Sequence, residues 1–365
     1  MSQDYHFDTL KVRGAYDPKD HQFATSVPIY QTTSYELGDT ERALRLFNAE
    51  ELGNLYTRVG NPTVSVLEQR IAALDGGAAG IALASGMAAV TYALLNIANY
   101  GDHILVAPYL YGGTVDAFKK LFPRLGIQVD YARDLDDLAA LEALIQPETK
   151  AIFIESISNP LGIVADIEAL AAIAHRHDIP LVVDNTFATP YLIRPIEYGA
   201  DIVVYSATKG ISGHGNIIAG VIVENGTFNW GNGKFPQFTE KHYTLRDRAG
   251  NERSFLEVFG PFVFTARVRL VLLNFIGAAL GPFDAYLAII GLETLSERID
   301  KQLSNTRIIV DYLEKSPYVE WVSWSSLPSS PNYALAQKYT PKGSGPVLSF
   351  GFKGGEKEYN DFINA

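Results

Sequence analysis

Between residues 80 and 223 the sequence alternates short apolar runs with helix-forming stretches, and this alternation leaves few folds open. Strand-like runs fall at 80–84, 103–107, 127–131, 150–155, 180–184, 201–205 and 218–223. Helical stretches separate most of them, from about Met87, at 114–122, at 135–145 and at 167–177. Runs that are apolar at nearly every position suit strands buried on both faces, and strands joined through helices run parallel. The pattern therefore predicts an α/β fold, a mainly parallel sheet with helices on both faces. Sheets of this kind bind ligands beyond the carboxyl ends of their strands.

The flanks read differently. Residues 1–60 carry weak periodicity and many aromatic and threonine residues, with one helical candidate at 40–49, and read as an arm that must lie on its own body or on a neighbouring subunit. Asn61-Pro62 then starts a helix, Asn as cap and Pro in the first turn, with Val64, Leu67, Ile71 and Leu74 on one face and Gly76-Gly77 at its end. After Val223 comes a glycine- and aromatic-rich excursion, 225–238, a length more often functional or interfacial than idle. A charged segment follows at 241–253; helical periodicity returns over 262–280 and 282–313, and 319–324 and 347–352 read as strands. The organisation expected is an arm (1–60), a large domain (61–260) and a smaller α+β domain (261–365), the last reading as cut short where 356–365 begins a helix.

Charge and composition narrow the function. Thirty basic against 41 acidic residues give a net charge of −11, which argues against nucleic acid or an anionic membrane as partner. There are no cysteines, so disulfides, thiolate metal sites and a cysteine nucleophile are excluded. The first residues hold no basic or apolar run, and no stretch approaches the length of a spanning helix, so a cytoplasmic protein is expected. Asn225-Gly-Thr227 then reads as a turn rather than a glycosylation acceptor.

Five features fall at strand ends or loop tips of the one predicted sheet. Ser85-Gly86-Met87 opens a helix after a strand, where free N–H groups and the helix dipole favour an anion, although a plain strand-to-helix turn has the same form. Tyr111 precedes two glycines and offers an aromatic face, or simple packing. Asn159 presents an amide at the end of a strand, or marks a turn before Pro160. Asp184 closes an apolar strand, where a carboxylate is costly unless it meets a positive charge. Lys209 follows the strand at 201–205 with Ser206 and Thr208 beside it and Gly210, Gly213 and Gly215 after it. An amine beside hydroxyl donors suits a lysine that condenses with a phosphorylated aldehyde.

Together the five describe one ligand, pyridoxal 5'-phosphate: phosphate at Ser85–Met87, Ser206 and Thr208, an aromatic lid at Tyr111, a ring-nitrogen partner at Asp184 and the attachment at Lys209. The residues alone also leave open an α/β protein that holds a nucleotide phosphate at Ser85–Met87. Dinucleotide, P-loop, nucleophile-elbow and zinc-protease signatures are absent from the sequence. His175 and His177 read as solvated on a polar helix face, and His214 as a shaper of the turn after Lys209.

Six segments carry a resemblance to a known family: Tyr56-Thr-Arg58-Val-Gly-Asn-Pro-Thr63, Ala84-Ser-Gly-Met-Ala-Ala89, Tyr111-Gly-Gly-Thr114, Ser158-Asn-Pro160, Val183-Asp-Asn-Thr-Phe187 and Tyr205-Ser-Ala-Thr-Lys209. The chain resembles the Cys/Met-metabolism pyridoxal-phosphate enzymes of fold type I over nearly its whole length. The resemblance implies that Lys209 carries the cofactor, Asp184 faces its ring nitrogen, Tyr111 stacks on its ring, and Gly86, Met87, Ser206 and Thr208 hold its phosphate. It implies that Asn159 sits near the cofactor's phenolic oxygen, and that Tyr56 and Arg58 reach a neighbouring subunit's phosphate within a homotetramer made of dimers with shared sites. Within the family, 228–238, Pro282–Tyr286 and Leu292–Leu295 are similar to the O-acetylhomoserine sulfhydrylases. That branch implies a small amino-acid substrate, O-acetyl-L-homoserine, and sulfide, giving L-homocysteine and acetate. A γ-lyase or γ-synthase of the family would share every cofactor residue, and a non-catalytic member of the fold is a further alternative. The resemblance puts the family's substrate-carboxylate arginine beyond residue 365, no arginine here matches it, and substrate choice is expected to lie in the 225–238 excursion and in a segment beyond these residues.

Overall fold

Seven strands make the central sheet: β1 (Ala79–Leu83), β2 (His103–Val106), β3 (Gln128–Tyr131), β4 (Thr149–Glu155), β5 (Leu181–Asp184), β6 (Ile202–Ser206) and β7 (Gly220–Glu224). They lie in the order β1-β7-β6-β5-β4-β2-β3 in a computed structural model that describes residues 5–48, 50–51 and 53–365. Strand β7 runs antiparallel to both β1 and β6, and every other neighbouring pair is parallel, so the remaining six strands point the same way. The exception follows from connection length: no helix separates β6 from β7, and without a crossover the chain can only turn back. Leu181, Val182, Val183, Val203 and Val204 are wholly buried, as strands covered on both faces require.

The first hundred residues form helices α1 (Phe7–Arg13), α2 (Thr40–Phe47), α3 (Pro62–Asp75) and α4 (Gly86–Leu95); α3 packs on β1, α4 on β6 and β7, and α1 on α3. In α3 the Asn61 carboxamide accepts the N–H of Thr63 at 3.0 Å, and Gly76 stops the helix in the left-handed region at φ 76°. The four apolar positions expected on one face are buried, and so are Glu68 and Arg70. Arg70 reaches across to the carbonyl of Gly14 (2.9 Å) and to Glu293 (3.4 Å), so α3 is clasped between the sheet, the arm and the tail. The arm docks on its own chain here: buried Lys11 of α1 donates to Ser296 (2.5 Å) and Glu297 (2.6 Å). Helix α2 is shorter than expected, and the expected end at Ala49 lies outside the described residues.

The tail departs from a plain helical reading. The 262–280 stretch is broken into Val263–Arg267, a π-helical Val268–Leu273 and Asn274–Ile276. Gly277 and Ala278, both at positive φ, then turn the chain so that Ala84 donates to the Ala278 carbonyl at 2.7 Å beside the end of β1. The 282–313 stretch divides at Thr294 into Pro282–Glu293 and Leu295–Lys315. The charged segment forms a hairpin, β8 (Lys241–Arg246) and β9 (Glu252–Ser254), and β10 (Val319–Ser323) pairs antiparallel with β11 (Ser349–Phe352).

The aromatic excursion after β7 has a structural explanation. Because β7 runs against its neighbours, its end lies at the amino edge of the parallel strands, where Asn225 donates to the Asp201 carbonyl. Trp230, Phe235 and Phe238 are at most 3% exposed and interlock with one another and with Phe264. Lys150 caps the Lys234 carbonyl at 2.8 Å. The excursion plugs the sheet edge opposite the candidate cleft, so the expectation that it selects the substrate of this chain's site is corrected. Its first residues do form the expected turn, with the Asn225 side chain accepting from Thr227 and Phe228.

Candidate active site

All six co-directional strands deliver their last residues to one edge, and the ends of β1, β4, β5 and β6 line a cavity of about 310 Å³. Its walls include Gly86, Met87, Tyr111, Glu155, Asn159, Asp184, Ser206, Thr208 and Lys209. Eight of these are singled out by the sequence, and the fold brings them together; the ninth, Glu155, ends the strand-like run at 150–155.

The anion corner is built from close backbone approach. Ser85 caps α4 by accepting the Ala88 N–H at 3.0 Å, which leaves the first-turn N–H groups of Gly86 and Met87 without helix carbonyl partners. A side chain on Gly86 would stand 2.5 Å from Cβ of Ser206, and one on Gly220 would stand 2.0 Å from the Ser85 carbonyl oxygen. Glycine at both positions is what lets the helix start settle against β6 and β7, with the Ser206 hydroxyl beside it. Thr208 is less free than Ser206, since its Oγ1 accepts the Ala219 N–H at 2.9 Å and donates to the Ala219 carbonyl at 3.2 Å.

Asp184 is held by Thr186, whose N–H (3.0 Å) and hydroxyl (2.5 Å) both donate to its Oδ1. The same hydroxyl accepts the Ser206 N–H at 2.8 Å, so one threonine fixes the ends of both β5 and β6. Burial pushes the Asp184 carboxyl up from the ordinary aspartate range, with the Thr186 bonds pulling it back. A carboxyl in that state gains from a cation placed against it, and a protonated ring nitrogen is such a cation. Lys209 is exposed into the cavity, with its main chain tied by bonds to Ser206 and from Gly213. Arg298 steadies the loop beyond it, donating to the carbonyls of Gly210 (2.7 Å) and Ile211 (3.2 Å).

Tyr111 is 48% exposed, and a side chain on Gly113 would collide with its ring at 2.5 Å, so that glycine leaves room for the aromatic face. The cleft thus holds an amine, an uncompensated acid, an aromatic face and a helix start able to take an anion. That set fits a phosphorylated pyridine aldehyde.

Tyr56 and Arg58 stand elsewhere. They contact each other, with the guanidinium 5.0 Å from the ring centre, and line a separate hollow with Gly277–Pro282. Within one chain they do not enter the Lys209 cleft. Two histidine expectations are corrected: His175 is bonded to Asp201 at 2.8 Å and His177 to Glu142 at 2.9 Å, so neither is merely solvated. His214 closes the turn after Lys209 through a 2.5 Å contact with the Ser212 carbonyl.

Two residues of this edge were missed as functional candidates, Thr186 and Glu155. The signal for Glu155 is the one that marks Asp184, an acid closing an apolar strand. Thr186 had no such signal, because its bond to Ser206 depends on β5 and β6 being neighbours.

The family model described as Cys/Met metabolism PLP-dependent enzyme matches residues 8–365. The homocysteine synthase of Schizosaccharomyces pombe is 44% identical over 363 residues, 99% of this chain and 83% of that protein. The O-acetyl-L-homoserine sulfhydrylase of Leptospira meyeri is 40% identical over 373 residues, 100% of this chain and 83% of that protein. A Campylobacter jejuni crystal structure, described as an O-acetylhomoserine (thiol)-lyase with N'-pyridoxyl-lysine-5'-monophosphate, superposes with a TM-score of 0.90 at 38% identity, over 96% of this chain and 85% of its own.

Proposed function

The chain belongs to the Cys/Met metabolism PLP-dependent enzymes, and from that premise we propose that it replaces the γ-acetoxy group of O-acetyl-L-homoserine with sulfide, giving L-homocysteine and acetate. The observation that carries this reading is the single cleft in which Lys209, Asp184 and the start of α4 converge, in a chain similar almost end to end to proteins named for that chemistry. Pyridoxal 5'-phosphate, when bound, supplies the electron sink that makes the substrate's Cα and Cβ hydrogens acidic.

The chain's own groups do the rest. Lys209 Nζ would hold the cofactor and, when free, would take and return protons at the substrate's Cα and Cβ. Asp184, steadied by Thr186, keeps its charge against the ring nitrogen and the proton there. The first-turn N–H groups of Gly86 and Met87, with the Ser206 and Thr208 hydroxyls, take the phosphate; Thr208 does so at the expense of its long bond to Ala219. Tyr111 would stack on the ring and Asn159 would stand near its phenolic oxygen. Tyr56 and Arg58 serve the site of a second copy, within a homotetramer assembled from dimers, in a cytoplasmic enzyme. Residues 1–60 act as the arm, 61–260 as the cofactor domain and 261–365 as the smaller domain. Among the described residues no helix is long and apolar enough to cross a membrane.

The test combines spectroscopy with turnover. The purified protein should be yellow, should gain a borohydride-stable pyridoxyl adduct on Lys209 by mass spectrometry, and should form homocysteine from O-acetyl-L-homoserine and sulfide. A colourless protein without the adduct overturns the cofactor reading. A coloured protein that cleaves methionine or cystathionine but ignores sulfide overturns the substrate.

A further inference from the structure

Glu155, the last residue of β4, is 6% exposed and points into the cleft. Its two oxygens are divided between two loops: Oε1 accepts the N–H of Tyr111 at 2.6 Å, and Oε2 accepts the N–H of Asn159 at 2.9 Å. These donors belong to the loops after β2 and after β4. Across the sheet Glu155 is in register with Asp184 on β5, so two acids stand side by side on the cleft floor. Burial, then the Asp184 charge, push the Glu155 carboxyl above the usual glutamate range, and the two N–H bonds oppose them.

The loop carrying Asn159 has a second set of anchors on its far side. Ser349, Ser323 and Ser325 donate to the carbonyls of Pro160 (2.6 Å), Leu161 (2.8 Å) and Gly162 (2.7 Å). These serines come from the tail and fix the loop's outer rim. Glu155 fixes its inner end, the end that faces the cavity.

We propose that Glu155 is a positioning residue: its carboxylate ties the main chains of Tyr111 and Asn159 together beside Asp184, and so sets where the Tyr111 ring and the Asn159 amide stand over the cleft floor. The inference rests on the cofactor reading for its consequence, though not for its geometry. Two N–H donors facing one carboxyl group require both of its oxygens to accept, and the amide of a glutamine has only one oxygen to offer. Glu155→Gln keeps the size but sets an NH₂ against one of the two N–H groups, releasing either Tyr111 or Asn159.

The experiment uses the full-length enzyme and pyridoxal 5'-phosphate itself. In Glu155→Gln the dissociation constant for the cofactor, titrated by visible absorbance, should rise about ten-fold. The visible absorption maximum should shift, and KM for the amino-acid substrate should rise more than kcat falls. A folded variant in which affinity and KM stay within about two-fold of wild type, with the absorption maximum unmoved, overturns the proposal. Hydrogen exchange on the wild-type protein decides it if the variant does not fold. The Tyr111 and Asn159 amides should exchange about 100-fold or more slowly than unprotected ones, and exchange at the unprotected rate overturns it. A colourless wild-type protein would sink the cofactor reading while leaving this exchange measurement to judge the clamp.

Discussion

At the carboxyl edge of the sheet, Lys209, Asp184, Glu155 and Ser206 surround open space of about 310 Å³, whereas at the opposite edge Trp230, Phe235 and Phe238 leave almost none of their surface exposed. The two edges treat buried acid differently. Glu224, at the end of β7, is also a carboxylate among apolar residues, and it receives the N–H groups of Phe264 (3.1 Å) and Thr265 (2.9 Å) and the Thr265 hydroxyl (2.5 Å). It takes three donors from the start of the helix Val263–Arg267 and is sealed from solvent. Asp184 and Glu155 are bonded on the protein side and still face a cavity, side by side. The same sheet therefore shows what a structural acid and a ligand-facing acid look like, and the difference lies in whether the last lone pairs are met by the chain itself.

Breaking the cleft edge at its amine should produce the largest effect. Lys209→Ala is expected to lower turnover by at least about 10⁴-fold while its melting temperature without cofactor stays near that of wild type, because the exposed side chain packs against little. Steady-state assay together with calorimetry of the cofactor-free proteins checks both halves, and a variant that keeps its activity removes the distinction between the edges.

Breaking the plugged edge should do the reverse. Trp230→Ala removes a buried indole that meets Phe228, Phe235, Phe238 and Phe264, and is expected to cost about 3–5 kcal/mol of stability. Denaturant unfolding measures the loss, and KM of the folded fraction should not move. A KM shift without a stability loss would give the excursion back its expected role in substrate choice.

Neutralising the ligand-facing acid comes next. Asp184→Asn should reduce kcat/KM by about 100-fold, and since it removes a buried acid that no side-chain cation meets among the described residues, the cofactor-free protein should unfold no more readily than wild type. Activity and unfolding midpoints of matched samples test it; equal losses in both would mean that Asp184 is structural in the way Glu224 is.

The sequence made the sheet legible because β2, β4, β5 and β6 are apolar on both faces, and burial on both faces leaves no competing reading. The hairpin β8–β9 was not legible: its positions are mostly exposed and alternate in no clear way, so only the charge was visible. The break at Gly277 was hidden for another reason, since apolar periodicity continues through 262–280 while the chain must bend to reach β1. In the site, Asp184 and Ser206 could be read because each closes a strand, and Lys209 because it follows Ser206 in the turn beyond. The clamp at Glu155 and the tie at Thr186 could not, because they join residues adjacent only once strand order is known.

The smallest effect, and the one that sharpens the comparison most, is in the dependence of stability on pH. Burial raises Glu224 from the usual 4.5 to about 7, offset in part by its three donors. A group whose folded value is raised binds its proton more tightly in the native state, so its contribution to stability is fully present below about 4.5 and is lost as pH rises through about 7. Asp184 and Glu155 are raised as well, and the same sign applies to them, with one difference: a cation lodged against Asp184 lowers its folded value and removes part of the loss. Urea midpoints measured from pH 5 to pH 8 should therefore fall in the cofactor-free protein and fall less steeply in the holoenzyme. Glu224→Gln should flatten both curves by the same amount, since no ligand reaches that edge. If cofactor binding and the Glu224 substitution alter the slope interdependently, the two edges are coupled through the sheet, and the plug behind β7 would have to be counted as part of the site it faces away from.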